Sequence, residues 1–147
     1  MQSILKIALP VLLAGTITTA CQTVQTTHGG AVGVQRSQLM MVSAQEVEQA
    51  SSRQYQQMLT EARRKTALDR DPATVQRVRR IVSRLTAQTG AFRPDAPSWA
   101  WEVHVFSSNE LHAWCMAGGK MAIYTGLIQR LALSDDEIAA VMGHEIA

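Results

Sequence analysis

Two cysteines, 5% aromatic residues and no apolar run long enough to cross a bilayer set the first limits on this 147-residue chain. If Cys21 is used for another purpose, Cys115 has no partner within the chain, so an internal disulfide framework is excluded and stability must come from an apolar core. The longest uncharged apolar stretch, Ile7 to Ala20, falls well short of the roughly 20 residues that a membrane-spanning helix needs. Charge of one sign is scarce in each half. Residues 43–93 hold ten basic and five acidic residues, and residues 94–147 hold two and seven. Arg77, Arg80 and Arg84 lack aromatic interleaving or a recognised binding motif, so no nucleic acid is expected as a partner and the basic half reads as a solvated helix face. What is present, 46% hydrophobic and 18% charged residues with a net charge of +2, describes one globular domain with no internal repeat.

The first twenty residues read as a processing segment. Lys6 precedes the apolar run, which closes on Thr18, Thr19 and Ala20 before Cys21, the pattern of a signal peptide over residues 1–20. Ile17-Thr18-Thr19-Ala20-Cys21 resembles a bacterial lipobox, with Thr18 where a leucine is usual, and Gln22 resembles the residue that follows the cysteine in lipoproteins sorted to the outer membrane. The expectation is therefore lipidation at Cys21. Each buried CH2 of an acyl chain contributes about 0.8 kcal/mol to membrane anchorage. The expected location is the bacterial cell envelope, as an outer-membrane lipoprotein facing the periplasm.

Residues 21–42, rich in Thr, Gln and Gly, read as the lipidated cysteine and a flexible tether, and residues 43–147 as the folded domain. Ser43-Ala44-Gln45-Glu46 has capping-box spacing and opens a helix that carries Val47, Ala50, Tyr55, Met58 and Ala62 to about Ala67. Asp71-Pro72 supplies an N-cap and a first-turn proline for a second helix to about Gln88, whose Val75, Val78, Val82 and Leu85 stripe faces away from its arginines. Trp99, Trp101, Val103 and Val105 alternate with Ala100, Glu102, His104 and Phe106, which predicts a strand. Two short strands are expected on either side of Ala117-Gly118-Gly119, then a short helix from Gly126 to Leu133. The fold class is α+β.

The chemistry gathers in the last helix. Ser134-Asp135-Asp136-Glu137 is a second capping box, and the helix it starts runs through Gly143-His144-Glu145-Ile146-Ala147. The zincin motif HExxH sets two histidines four residues apart on one helical face to bind zinc, with the glutamate as general base. His144 and Glu145 match its first half, and the second histidine is expected as the next residue after Ala147. On that reading the domain is incomplete at its C-terminus, and the chain by itself is inactive. Glu145 lies four residues after Val141 and seven after Ile138, in a stripe where an apolar residue is expected. A carboxylate placed there without a partner costs several kcal/mol, which suggests a functional site.

The segments Leu111-His112-Ala113-Trp114-Cys115-Met116-Ala117-Gly118-Gly119-Lys120, Tyr124-Thr125-Gly126-Leu127 and Leu133 to Glu145 resemble, in fixed order, the zinc metallopeptidase family that includes the heat-shock protease HtpX and the CAAX prenyl protease. Within it the similarity is to bacterial periplasmic lipoprotein metallopeptidases, over residues 36–147. His112 stands where the family has Asn, and Ala117 where it has Pro. The resemblance implies a zincin-like domain of gluzincin type, Zn2+ as cofactor with His144 as one ligand, and Glu145 as the catalytic base. It also implies a strand at His112, Ala113 and Trp114 that pairs with an extended substrate. The expected substrates are unfolded or misassembled envelope polypeptides, and the expected role is protein quality control.

Two other readings stand beside it. A cysteine hydrolase using Cys115 with His112 or His104 is the weaker of the two: His112 and Cys115, three residues apart on a strand, face opposite sides, so local pairing fails. A non-catalytic envelope lipoprotein or scaffold keeps the fold and lacks the activity. His104 reads as a satisfied strand histidine, His28 as part of the tether, and the three tryptophans as core aromatics.

Overall fold

The computed structural model describes residues 22–27, 33 and 36–147, the stretches 22–27 and 36–40 by their backbone alone. The signal segment 1–20 and Cys21 lie outside the described residues. In chain order the elements are β1 (Gln22–Thr27), β2 (Arg36–Met40), α1 (Ala44–Arg64), α2 (Pro72–Thr86), β3 (Glu102–Phe106), β4 (Ala113–Met116), β5 (Lys120–Tyr124), α3 (Thr125–Arg130) and α4 (Asp135–Ile146). Among the described residues no helix is long and apolar enough to cross a membrane.

Local chemistry explains where the two long helices begin. Ser43 Oγ accepts from the Glu46 amide at 3.2 Å, and Glu46 returns a carboxylate oxygen to the Ser43 amide at 2.9 Å. These bonds satisfy backbone donors that a helix start leaves open, and the Ser43 hydroxyl and amide hold the Glu46 carboxyl below its ordinary range. Asp71 caps α2 by accepting from the amides of Ala73 and Thr74 at 3.1 and 3.3 Å, with Pro72 in the first turn. Between the helices Thr66 and Asp69 take left-handed backbone, at φ of 50° and 49°. That corner turns the chain across one edge of the sheet.

The central sheet has the order β3-β5-β4, with β3 parallel and β4 antiparallel to β5. Alternation along each strand sorts the side chains onto two faces. Val103, Val105, Ala113, Met121 and Ile123 point to one side, where Val75, Val78, Ile81 and Val82 of α2 and Ile138 and Met142 of α4 close over them. Phe106 and Ala122 point to the other side, against Tyr55, Leu59 and Ala62 of α1, with Trp114, Met116 and Tyr124 partly buried around them. Both faces are therefore covered by helices, and the α+β class holds.

Two expectations change. Part of the span 21–42, read from composition as a flexible tether, is an antiparallel pair: β1 and β2 match Gln22 with Met40 and Thr23 with Leu39, with a register shift between Gln25 and Thr27. The β-branched Thr23, Val24, Thr26 and Thr27 favour extended backbone, a signal that a polar composition hides. The strand expected from Trp99 begins only at Glu102. A 3₁₀ turn over Ala96–Ser98 leads into Trp99, so the backbone is still coiling where the alternation suggested pairing. Trp99 and Trp101 pack with their rings tilted, centroids 5.5 Å apart, and Arg93 lies 4.7 Å over the Trp99 ring.

The bend between β4 and β5 depends on its glycines. Gly118 and Gly119 have φ of +80° and +76°, a region that other residues enter at a cost. A side chain at Gly119 would meet the Trp101 ring at 2.8 Å, and one at Gly118 would meet Glu48 of α1 at 3.0 Å. The Gly119 amide donates to Met116 O at 3.2 Å, which closes a tight turn with Ala117 and Gly118 at its centre. Ala117 occupies the position that proline favours in such a turn, and its N–H donates to no backbone carbonyl of the turn. Ala117→Pro is expected to stabilise the fold by about 0.4–1 kcal/mol, by narrowing the unfolded ensemble. A lower denaturation midpoint in urea would show that the turn differs from this description.

Candidate metal centre

Helix α4 is fixed at its start and along its buried face. Ser134 Oγ accepts from the Glu137 amide at 3.3 Å, and Glu137 accepts from the Ser134 amide at 2.8 Å. The Ser134 amide first, and then the Ser134 hydroxyl donating to the same carboxylate at 2.8 Å, hold the Glu137 carboxyl below its ordinary range. Arg77 of α2 crosses to this terminus, where its Nε contacts Asp135 at 2.5 Å and a second guanidinium nitrogen donates to Leu133 O at 2.7 Å. Ile138 and Met142 are completely buried. On the neighbouring face Ala139 joins the core, and Gly143 lies over Leu85 of α2, where an added methyl would sit 4.0 Å from Cδ2. These small residues leave room for α2 against α4.

With the rotation of α4 set this way, its last turn divides between core and solvent. Glu145 is half-buried and His144 is exposed. Glu145 lies toward β4: the Cys115 thiol is pushed up to about 11, first by its own burial and then by the Glu145 carboxylate. Cys115 is a free, half-buried thiol packed against the α2–α4 side of the sheet. A thiol so far above neutrality holds almost no thiolate at physiological pH, which removes its fitness as a nucleophile. His144 can offer an exposed imidazole to a metal, with the base-type carboxylate beside it in sequence. A catalytic zinc takes three protein ligands, and His144 fits one of those places. Among the described residues no group of three His, Cys, Asp or Glu side chains converges on a metal position.

The predicted substrate strand divides in the same way. His112 is exposed just before β4; its ring lies 5.4 Å from Tyr124, and its carbonyl accepts from the Tyr124 amide at 3.0 Å. Ala113 is buried on the α4 side. Trp114 is half-buried on the opposite side, edge-on to Tyr55 at 5.9 Å. The side chains of Ala113 and Trp114 therefore serve the core, and what they can give a substrate is backbone. Strand β4 is the terminal strand of its sheet, so among the described residues its outer edge pairs with no other strand.

A family model for peptidase family M48 matches residues 72–147, just over half of the chain. The chain belongs to peptidase family M48. It is also 40% identical over 47 residues to the mitochondrial metalloendopeptidase OMA1 of Arabidopsis thaliana, a match covering 32% of this chain and 10% of that protein. The chain thus matches about a tenth of that relative's length. No solved structure matches it. The family match covers α2, the central sheet and α4, the elements that position His144 and Glu145.

Some features of this M48 chain have no local sequence signal. Arg77 was legible only as part of a polar stripe, yet it fastens the start of α4. Cys115 was legible only as a cysteine without a disulfide partner, and its nearness to Glu145 arises from the packing of α4 on β4. That nearness is testable. In a Cys21→Ser background, Glu145→Gln should lower the Cys115 thiol pKa, because it removes the neighbouring negative charge, and so increase the thiolate fraction at fixed pH. Alkylation near pH 9 should then run severalfold faster than with Glu145 present. Equal rates would place Glu145 away from β4.

Proposed function

We propose that this chain contributes the metal-binding helix and substrate strand of a zinc-dependent metalloendopeptidase. The observation that carries the reading is the last turn of α4, where the half-buried Glu145 faces β4 beside the exposed His144. Membership in peptidase family M48 supports it, as does the similarity to a metalloendopeptidase. His144 would hold the metal as one of its ligands. Zinc, when bound, supplies Lewis acidity at the scissile carbonyl and acidifies the attacking water.

Glu145 does the proton work. Its carboxylate accepts a proton from the attacking water and then delivers it to the leaving amine, so one residue serves as base and as acid in turn. Partial burial keeps that carboxylate out of bulk water and in a fixed direction. The free edge of β4 aligns the substrate by main-chain hydrogen bonding, which requires an extended peptide. That requirement selects unfolded or misassembled polypeptides over folded ones. His112, at the mouth of this edge with its ring tilted against Tyr124, is the residue whose side chain meets the substrate.

In this reading the acylated Cys21 holds the enzyme at the membrane, its substrates are envelope proteins, and its role is quality control. The signal-like residues 1–20 and the lipobox resemblance support that location. The intact protein should lose proteolysis of an unfolded substrate on chelation and regain it with zinc. Glu145→Gln should reduce kcat by at least about 100-fold, the usual weight of a general base, while leaving the zinc content unchanged. Undiminished turnover in that variant would remove Glu145 from the mechanism. Inactivity of the zinc-loaded wild type would favour a non-catalytic scaffold.

A further inference from the structure

Helix α4 meets α2 through small residues. Ala139 shares a groove with Ile81 and Leu85 of α2, and even an added methyl at Gly143 would come no nearer than 4.0 Å to Leu85 Cδ2. Helices resist sliding by setting the side-chain ridges of one into the grooves of the other, and alanine and glycine raise little ridge. The placement of α4 on α2 therefore draws on contacts elsewhere.

The contact at the start of α4 is polar and directional. Arg77 reaches across from α2: its Nε lies 2.5 Å from Asp135 Oδ1, and a second guanidinium nitrogen donates to Leu133 O at 2.7 Å. The two acceptors stand on either side of the N-cap Ser134. A planar guanidinium holds its donors in a fixed fork, so both bonds persist only at one placement of the helix start. The chain entering this point is held as well, because the Leu133 amide donates to Ile128 O at 2.9 Å. Arg79 of the same helix turns elsewhere, to Asp69, the partner of His104, at 3.3 Å.

We propose that Arg77 is a positioning residue for the reaction: by spanning Asp135 and Leu133 O it sets where α4 lies along and about its axis, and so where His144 and Glu145 stand. The inference rests on the metalloendopeptidase reading above. Asp135 and Glu145 are ten residues apart, roughly 15 Å along a helix. That exceeds the roughly 8 Å over which physiological salt screens an exposed charge, so the effect travels through the helix and not through the field of the guanidinium. A displacement of about 1 Å at a reacting group can cost about 100-fold in rate. The free edge of β4 belongs to the sheet and does not move with α4, so substrate binding is retained and the loss falls on the chemical step.

Steady-state kinetics and zinc competition on the intact protein test it. Arg77→Met keeps an apolar stem in place and removes both bonds. In this variant kcat should fall about tenfold or more with KM within about twofold of wild type, and zinc should be held severalfold more weakly. Arg77→Lys serves one acceptor at a time and should give an intermediate kcat. Arg79→Met, the same change on the same helix away from α4, should leave kcat, KM and zinc affinity at their wild-type values. Should Arg77→Met fold poorly, Asp135→Asn tests the same contact, and adding Arg77→Lys to it should cost less than Arg77→Lys alone. A merely structural contact would lower the urea midpoint of Arg77→Met while its folded fraction kept wild-type kcat and zinc affinity. That result, or an equal loss in Arg79→Met, would overturn the proposal. Wild-type protein that binds zinc and cleaves nothing would instead contradict the metalloendopeptidase reading, and zinc affinity would then decide the role of Arg77: weakened in Arg77→Met it stands, unchanged it falls.

Discussion

Ile138 and Met142, completely buried beneath α4, hold that helix at one rotation, and the chemistry of its last turn depends on that rotation. A turn of the helix by one residue, about 100°, would move Glu145 off its half-buried flank and turn His144 away from solvent. Arg77 resists this from outside by fastening Asp135 and Leu133. The capping box at Ser134 resists it from within. The carboxylate is thus carried by a packed element rather than a loop, which is the arrangement that keeps a catalytic group in a narrow range of positions.

The sheet supplies the second half of the site through parity. Because β4 is antiparallel to β5 and ends at a glycine turn, Cys115 is turned toward α4 while Trp114 is turned toward α1. One strand therefore closes two cores and still keeps an unpaired edge among the described residues. The close approach of Trp101 and Glu48 to Gly119 and Gly118 connects this turn to β3 and α1. A change in the turn would be felt on both faces of the sheet.

Much of this was legible from neighbouring residues in sequence. The capping boxes at Ser43 and Ser134, the Asp71-Pro72 start of α2 and the strands around Gly118-Gly119 stand where local patterns placed them. The membership in a metallopeptidase family was legible in the ordered motifs of residues 111–145. What local patterns could not give are pairs joined by the fold. Asp69 with His104, Arg77 with Asp135, and Glu145 with Cys115 are each far apart in sequence, so no spacing rule connects them. Trp99 and Trp101 misled because alternation carries no information about the 3₁₀ turn before them. The pairing of β1 with β2 was hidden because Thr and Gln read equally well as a solvated linker.

In the proposed function His144 binds the metal while Glu145, its neighbour, stays free to carry protons. Anomalous diffraction at the zinc edge from crystals of the intact protein tests this most directly. A single strong peak is expected about 2.0–2.1 Å from an imidazole nitrogen of His144, with the Glu145 carboxylate beyond bonding distance on the β4 side. A peak bonded to Glu145, or one lying away from His144 altogether, would contradict it.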